Sequence, residues 1–291
     1  MTPNRTLGLA LMTGAGLCWS TGGLLARSVS FNDGWEMVFW RSLFMVPCLA
    51  VAVMAFHRGR LMVPIRQVGR AGLIAGLLLA VQFFSFLLAV TRTTVAETLV
   101  IMSLSPFMAA IVGALVLGER VPWRTWLAIA IGFSGIAMMF AGSLGTGALL
   151  GNLIALGVPL AFAGQLIALR RRAANIDMLP TVLIAGLVSL PLAFVFAWPL
   201  EATARDLVML AIMGGFQLAL GCALMTIAVR HLPAAEIGLF ALLETILGPL
   251  WVWLAYGEWP HDLALIGSLV VVGALAANAL LGLRRAQSTA P

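Results

Sequence analysis

Lysine is absent from the 291 residues, and charge of either sign is scarce: 17 basic residues, all arginine, 11 acidic residues and three histidines. No Gly-x-x-x-x-Gly-Lys loop exists, which excludes ATP hydrolysis through a Walker-type site. His57, His231 and His261 form no His-Glu-x-x-His pair and fall in connecting segments, so a metalloenzyme of that kind is excluded too. No potassium-type filter motif occurs. The three cysteines, Cys18, Cys48 and Cys222, stand inside apolar stretches at neither disulfide nor metal-ligand spacing, and they read as small packing residues. The sequence therefore implies no cofactor, no metal and no enzyme chemistry.

What fills the chain instead is apolar. Hydrophobic residues make up 62% and charged residues 10%, with a mean hydropathy of +1.06. A soluble domain lies near half apolar and a quarter charged. A chain of this size must still present surface to its solvent, so that solvent is lipid. The net charge of +6 raises nucleic acid as a partner, but no basic face with interleaved aromatics exists to bind it. The arginines sit in short runs between apolar stretches, as orienting loops of a bilayer protein do.

A helix needs about 20 apolar residues to cross the hydrocarbon core. Ten stretches qualify: 7–26, 35–56, 71–90, 95–117, 123–142, 148–169, 179–199, 207–229, 234–256 and 263–283. The first exceeds a typical signal-peptide core and no small-x-small cleavage site follows it, so it reads as a span. With the N-terminus in the cytoplasm, 13 arginines fall inside, among them Arg171, Arg172, Arg284 and Arg285. Only Arg27, Arg92 and Arg205 fall outside. The positive-inside rule selects this orientation, with both termini cytoplasmic.

The two halves match. At an offset of 144, Arg27 falls on Arg171. At an offset of 139, Gly76 falls on Gly215, Ala80 on Ala219, Glu97 on Glu236, Gly118 on Gly257 and Glu119 on Glu258. Glutamate is rare here, so two Glu pairs at one offset carry more weight than the Ala and Gly matches. The repeats are expected at 1–145 and 146–291, five helices each. An odd count makes the second copy enter the membrane from the opposite side. The fold class is thus all-α integral membrane, ten transmembrane helices as two inverted five-helix repeats, an arrangement used by alternating-access transporters.

Several motifs resemble a known family. These are Trp19-Ser20 late in the first span, Arg41 in the second, Ser103 to Pro106 in the fourth, and the closing Leu117-Gly118-Glu119 and Tyr256-Gly257-Glu258. With the repeat layout they resemble the drug/metabolite transporter superfamily, in its ten-helix, EamA-type branch, over about residues 7 to 283. The chain departs from the family at Glu244, which is followed by Thr245 where the family often has proline, with Pro249 following later. It looks most like the amino-acid exporters, including the aromatic amino-acid group. That resemblance implies export of amino acids across the bacterial inner membrane.

Polar residues inside spans mark the candidate site. Glu244 lies about 15 Å into the ninth span by the helical rise, suited to an ammonium or a coupling proton, or else to a buried structural acid. Arg41, roughly 9 to 12 Å into the second, can hold a carboxylate, pair with Glu244 or snorkel outward. Glu36 is placed on a different helix face from Arg41 and is a poor partner. Gln82, Gln165 and Gln217 are suited either to a zwitterion or to binding helix to helix. Trp19, Trp40, Phe83 and Phe86 can wall a side-chain pocket, with Ser20, Ser103 and Thr245 as further polar contacts. Pro47, Pro106, Pro159, Pro191 and Pro249 interrupt spans, with Pro106 and Pro249 taken as helix breaks at the site. Glu97 and Glu236 read as helix-start carboxylates. Trp35, Trp123, Trp126, Trp198 and Trp259 read as interface anchors. A lone Arg suits a phosphate dianion poorly, which disfavours nucleotide-sugar cargo. The first span holds no carboxylate for a drug cation. A multidrug or other small-metabolite transporter remains the alternative, ahead of a membrane enzyme or a non-transporting interaction protein.

Overall fold

A computed structural model describes residues 4–145, 147–170, 177–232 and 234–288, with 234–239, 241–242 and 282–288 described by backbone alone. Arg171, Arg172, Thr146 and Asn175 lie outside the described residues, as do the side chains of Glu236, Arg284 and Arg285. Among the described residues there is no strand. The membrane helices are α1 (Arg5–Arg27), α2 (Gly34–Phe56), α3 (Gly69–Val90), α4 (Val95–Leu117), α5 (Trp123–Gly142), α6 (Leu149–Arg170), α7 (Met178–Ala197) and α8 (Ala204–Ala228), followed by α9 (Ala234–Tyr256) and α10 (Asp262–Ser288). A short helix, Met62–Gln67, joins α2 to α3.

The helices follow the apolar stretches closely. The largest difference at a helix start, that of α8, has a local cause. Thr203 accepts from the Asp206 amide while Asp206 accepts from the Thr203 amide and hydroxyl, a capping box that starts the helix at Ala204. Lipid-facing side chains such as Leu115, 77% exposed, need no other cover. Four of the five expected anchor tryptophans, Trp123, Trp126, Trp198 and Trp259, are exposed at helix ends. Trp35 is not: its ring lies 5.1 Å from Phe84 and 4.7 Å from Phe196, folded between α3 and α7.

Helix breaks occur at fewer prolines than expected. Pro47, Pro191 and Pro249 lie inside continuous helices. In α4 the chain breaks at Ser103–Leu104. Pro106 has no N–H for the Met102 carbonyl, and the Ser105 hydroxyl donates to that carbonyl instead. A break at Leu156 in α6 precedes Pro159. In α1 the break is at Thr21, whose hydroxyl donates to the Cys18 carbonyl at 2.7 Å. The middle of α8, Met213–Leu220, is a π-helix.

The inverted symmetry is visible in pairs of contacts. Gly76 of α3 packs on Ile184 and the Thr181 carbonyl of α7, and its mate Gly215 of α8 packs on Cys48 of α2. The two fifth helices, α5 and α10, run antiparallel with Gly135 against the Gly267 backbone. Farther along, Thr125 lies 3.1 Å from Asn278. A Cβ at either glycine would strike the other helix's backbone, so the closest approach exists because both side chains are absent.

Candidate functional site

Arg41 is 1% exposed and is the largest fully buried side chain among the described residues. It neither snorkels nor pairs with Glu244. The guanidinium carbon lies 4.6 Å from the centroid of the Phe83 ring, while Nε and Nη2 have no hydrogen-bond partner among the described residues. Gly214 of the π-helix packs on the Arg41 backbone, since a Cβ there would stand 2.5 Å from the Arg41 carbonyl oxygen. The absent side chain lets α8 press directly on α2. A charged side chain at mid-helix costs about 2.5–3.5 kcal/mol to insert, and a desolvated cation–π contact contributes about 2 kcal/mol. Phe83 alone does not offset the charge.

Beside it, the Gln217 side chain donates to the Trp19 carbonyl at 3.4 Å, and its buried Oε1 has no partner among the described residues. Gly22 faces this amide, with Phe86 next to it: a Cβ there would lie 3.0 Å from Gln217 Nε2 and 3.8 Å from Phe86 Cζ. Gly221 backs the Trp19 indole. Thus Trp19, Arg41, Phe83, Phe86 and Gln217 gather where α1, α2, α3 and α8 meet. A π-helix places an extra residue per turn on such a surface and recurs at functional sites.

Other candidates have structural partners. Gln82 donates to Gln165 at 2.9 Å, binding α3 to α6. Trp40 donates to Glu36 at 3.0 Å, and the same carboxylate oxygen accepts from the Glu201 and Ala202 amides. Glu36 therefore pins the α7–α8 connection, away from Arg41. Ser20 accepts from the Trp251 indole at 3.0 Å; Trp251 had no distinguishing sequence signal. Ser103 donates to the Val100 carbonyl at 2.6 Å. Glu244 is half-buried on α9 and Thr245 is buried beside it. No hydrogen bond or ion pair reaches Glu244 among the described residues.

The two Gly-Glu pairs lie at opposite ends of the bundle. Gly118 and Gly257 both turn the chain with positive φ, 68° and 65°, conformations that glycine adopts without strain. Glu119 is then held by Arg170 at the end of α6, with Nη1 at 2.6 Å from Oε1. Glu258 is held by Arg27 at the end of α1, Nε to Oε2 2.7 Å, and also accepts from the Val95 amide at 2.7 Å. Arg27 further donates to the Thr93 carbonyl at 2.7 Å.

Glu97 does more than start a helix. It accepts from Asn152 at 2.6 Å, and the Thr93 hydroxyl lies 2.8 Å from both Glu97 and Asn152. With Ser143 this buried network joins α4, α5 and α6 beneath a cavity of about 360 Å³ that Arg27, Arg92 and His261 also line.

A model of the EamA-like transporter family matches residues 6–141 and again 149–280. The chain belongs to the EamA-like transporter family. As an EamA-like transporter it is a multi-pass membrane protein that carries small molecules and is not an enzyme. Two relatives are the pseudopaline exporters CntI of Pseudomonas aeruginosa strains UCBPP-PA14 and PAO1. Each is 26% identical over 208 residues, covering 69% of this chain and 71% of the relative. A solved crystal structure at 19% identity superposes with a TM-score of 0.66 over 96% of this chain and 99% of that one, which shows a shared fold.

Proposed function

We propose that this EamA-like transporter exports amino acids, broadly and including aromatic and apolar ones, across the bacterial inner membrane. Alternating access around the centre of two inverted repeats, 1–145 and 146–291, moves the cargo, and both termini face the cytoplasm. The observation that carries the reading is the Arg41 guanidinium, buried over Phe83 with two nitrogens unpartnered among the described residues. A carboxylate offers it a charge-assisted, planar partner. Glu244, without an ion pair among the described residues, is available for the ammonium. Trp19, Phe83 and Phe86 supply an apolar wall that admits many side chains, since one methylene in such a pocket changes binding by only about 1–3 kcal/mol. Ser20, Ser103, Thr245, Gln82, Gln165 and Trp40 support this centre, and Pro106 marks its helix break.

The relatives favour a second reading, in which the cargo is another small metabolite exported in the manner of pseudopaline. Purified protein in liposomes should exchange labelled phenylalanine, tryptophan and methionine, each competing with the others. Transport of a lipophilic cation or a sugar nucleotide and of none of these amino acids would overturn the cargo and leave the transporter standing.

A further inference from the structure

We infer that the cavity under Arg27, Arg92 and His261 is a second binding site, built for a zwitterion such as an α-amino acid. Glu97 takes the ammonium and Arg92 the carboxylate. This rests on the amino-acid reading above. The site lies apart from the Arg41 centre, since its lining includes none of Trp19, Arg41, Phe83, Phe86 or Gln217.

Glu97 is 3% exposed at the foot of the cavity. Its Oε2 is taken: Asn152 donates to it at 2.6 Å, and the Thr93 hydroxyl lies 2.8 Å away. Oε1 has no hydrogen-bond partner among the described residues, yet protein does not seal it off. It is the oxygen left for the cavity. A carboxylate anchored through one oxygen and open at the other is a fixed acceptor for a charged donor. Shielded from water, it costs free energy until such a donor arrives.

The rim supplies the opposite charge. Arg27 is already held by Glu258 at 2.7 Å and by the Thr93 carbonyl. Arg92 engages through Nη1 alone, towards the Leu88 carbonyl and the Thr91 hydroxyl, so its Nε and Nη2 are open among the described residues. Gly151 fixes the segment that carries Arg92. A Cβ there would lie 2.8 Å from the Arg92 carbonyl carbon and the Thr93 amide nitrogen, so α6 presses directly on the α3–α4 connection. Asn32 holds the same turn through the Thr91 carbonyl at 3.1 Å. Gly142 and Ala148 line the wall with almost no side chain, which keeps the space open.

The charges select the ligand. At about 360 Å³ the cavity has room for a small molecule, since ligand pockets begin at roughly 300 Å³. An anion alone would meet Arg92 but also the Glu97 carboxylate. An amine alone would meet Glu97 but also two guanidiniums. A metal ion finds one carboxylate under two arginines, a poor oxygen cage. A ligand carrying both charges satisfies floor and rim together. In the orientation proposed above this is the outer end, so exported cargo meets the site on release.

Protection of a single thiol tests this on the full chain in lipid nanodiscs. Ala148→Cys, in a background lacking the three native cysteines, puts that thiol on the cavity wall. Phenylalanine should slow its reaction with a maleimide. Phenethylamine and 3-phenylpropanoate, each lacking one of the two charges, should not do so at the same concentration. Glu97→Gln keeps a carbonyl oxygen for Asn152 and Thr93 and turns an amide donor to the cavity. The half-protecting concentration should then rise about tenfold or more, and likewise in the exposed variant Arg92→Gln. Arg41→Met should keep the protection. Equal protection by either one-charge analogue, protection that survives Glu97→Gln or Arg92→Gln, or protection lost with Arg41→Met would overturn the site. Amino-acid flux through liposomes without this protection would remove the second site and leave export standing. Protection without flux would leave the site and count against export.

Discussion

Trp251 donates its indole N–H to the Ser20 hydroxyl at 3.0 Å, and Ser20 in turn donates a hydrogen bond to the Leu17 carbonyl. The bond fastens α9 of the second repeat to α1 of the first, one residue from the Trp19 wall. Ser20→Ala should leave a donor unpaired in a low-dielectric setting and lower stability by about 1–3 kcal/mol. Thermal unfolding in detergent reads this, and an unchanged melting temperature would show that Trp251 finds another acceptor.

Arg41 gives the opposite stability sign. Replacing a buried, unpaired charge with an apolar side chain of similar length removes a desolvation penalty. Arg41→Met should therefore match or exceed the parent in melting temperature while losing transport by tenfold or more, on the order of 1.4 kcal/mol of cargo binding. Loss of folded protein together with transport would assign Arg41 to the framework.

Glu244→Gln keeps the shape and hydrogen-bonding reach of the side chain and removes its charge. Normal membrane insertion with most of the transport lost is expected. Transport equal to the parent's from acid to alkaline pH would return Glu244 to a structural role.

Pro106→Ala restores an N–H that can reach the Met102 carbonyl, in competition with the Ser105 hydroxyl. The break in α4 should then close toward a continuous helix. Exchange at 102–106 should slow and turnover in liposomes should fall, without loss of folded protein. Faster turnover would show that the break is no hinge.

Orientation is checked in a background lacking the three native cysteines. A cysteine at Thr146 should react with an impermeant maleimide from outside the cell, and one at Asn175 should react only after lysis. Reversed labelling would place both termini outside.

The architecture was legible because hydropathy dictates span length directly and the odd number of helices in each repeat dictates inversion. Gly76 and Gly215, paired by offset alone, do each pack on the second helix of the other repeat. The site was less legible. Nothing in the spacing of Gln82 and Gln165 says that they bond to each other, since a contact across 83 positions depends on tertiary packing. Arg41 was open to holding a carboxylate, pairing with Glu244 or snorkelling; that it neither snorkels nor pairs with Glu244 depends on its packing over Phe83, a contact between helices that the sequence does not display. Glu97 read as a helix-start charge because its partners Asn152 and Ser143 come from separate helices. The Thr203-x-x-Asp206 spacing, by contrast, carried a recoverable capping signal.

At Gly135 and Gly267, α5 and α10 meet backbone to backbone, with no side-chain layer between them to slide or re-pack. Such a crossing resists sliding, so a label pair at Thr125 and Asn278 is expected to report one constant length in every state. A bulky residue at either glycine would force the two backbones apart.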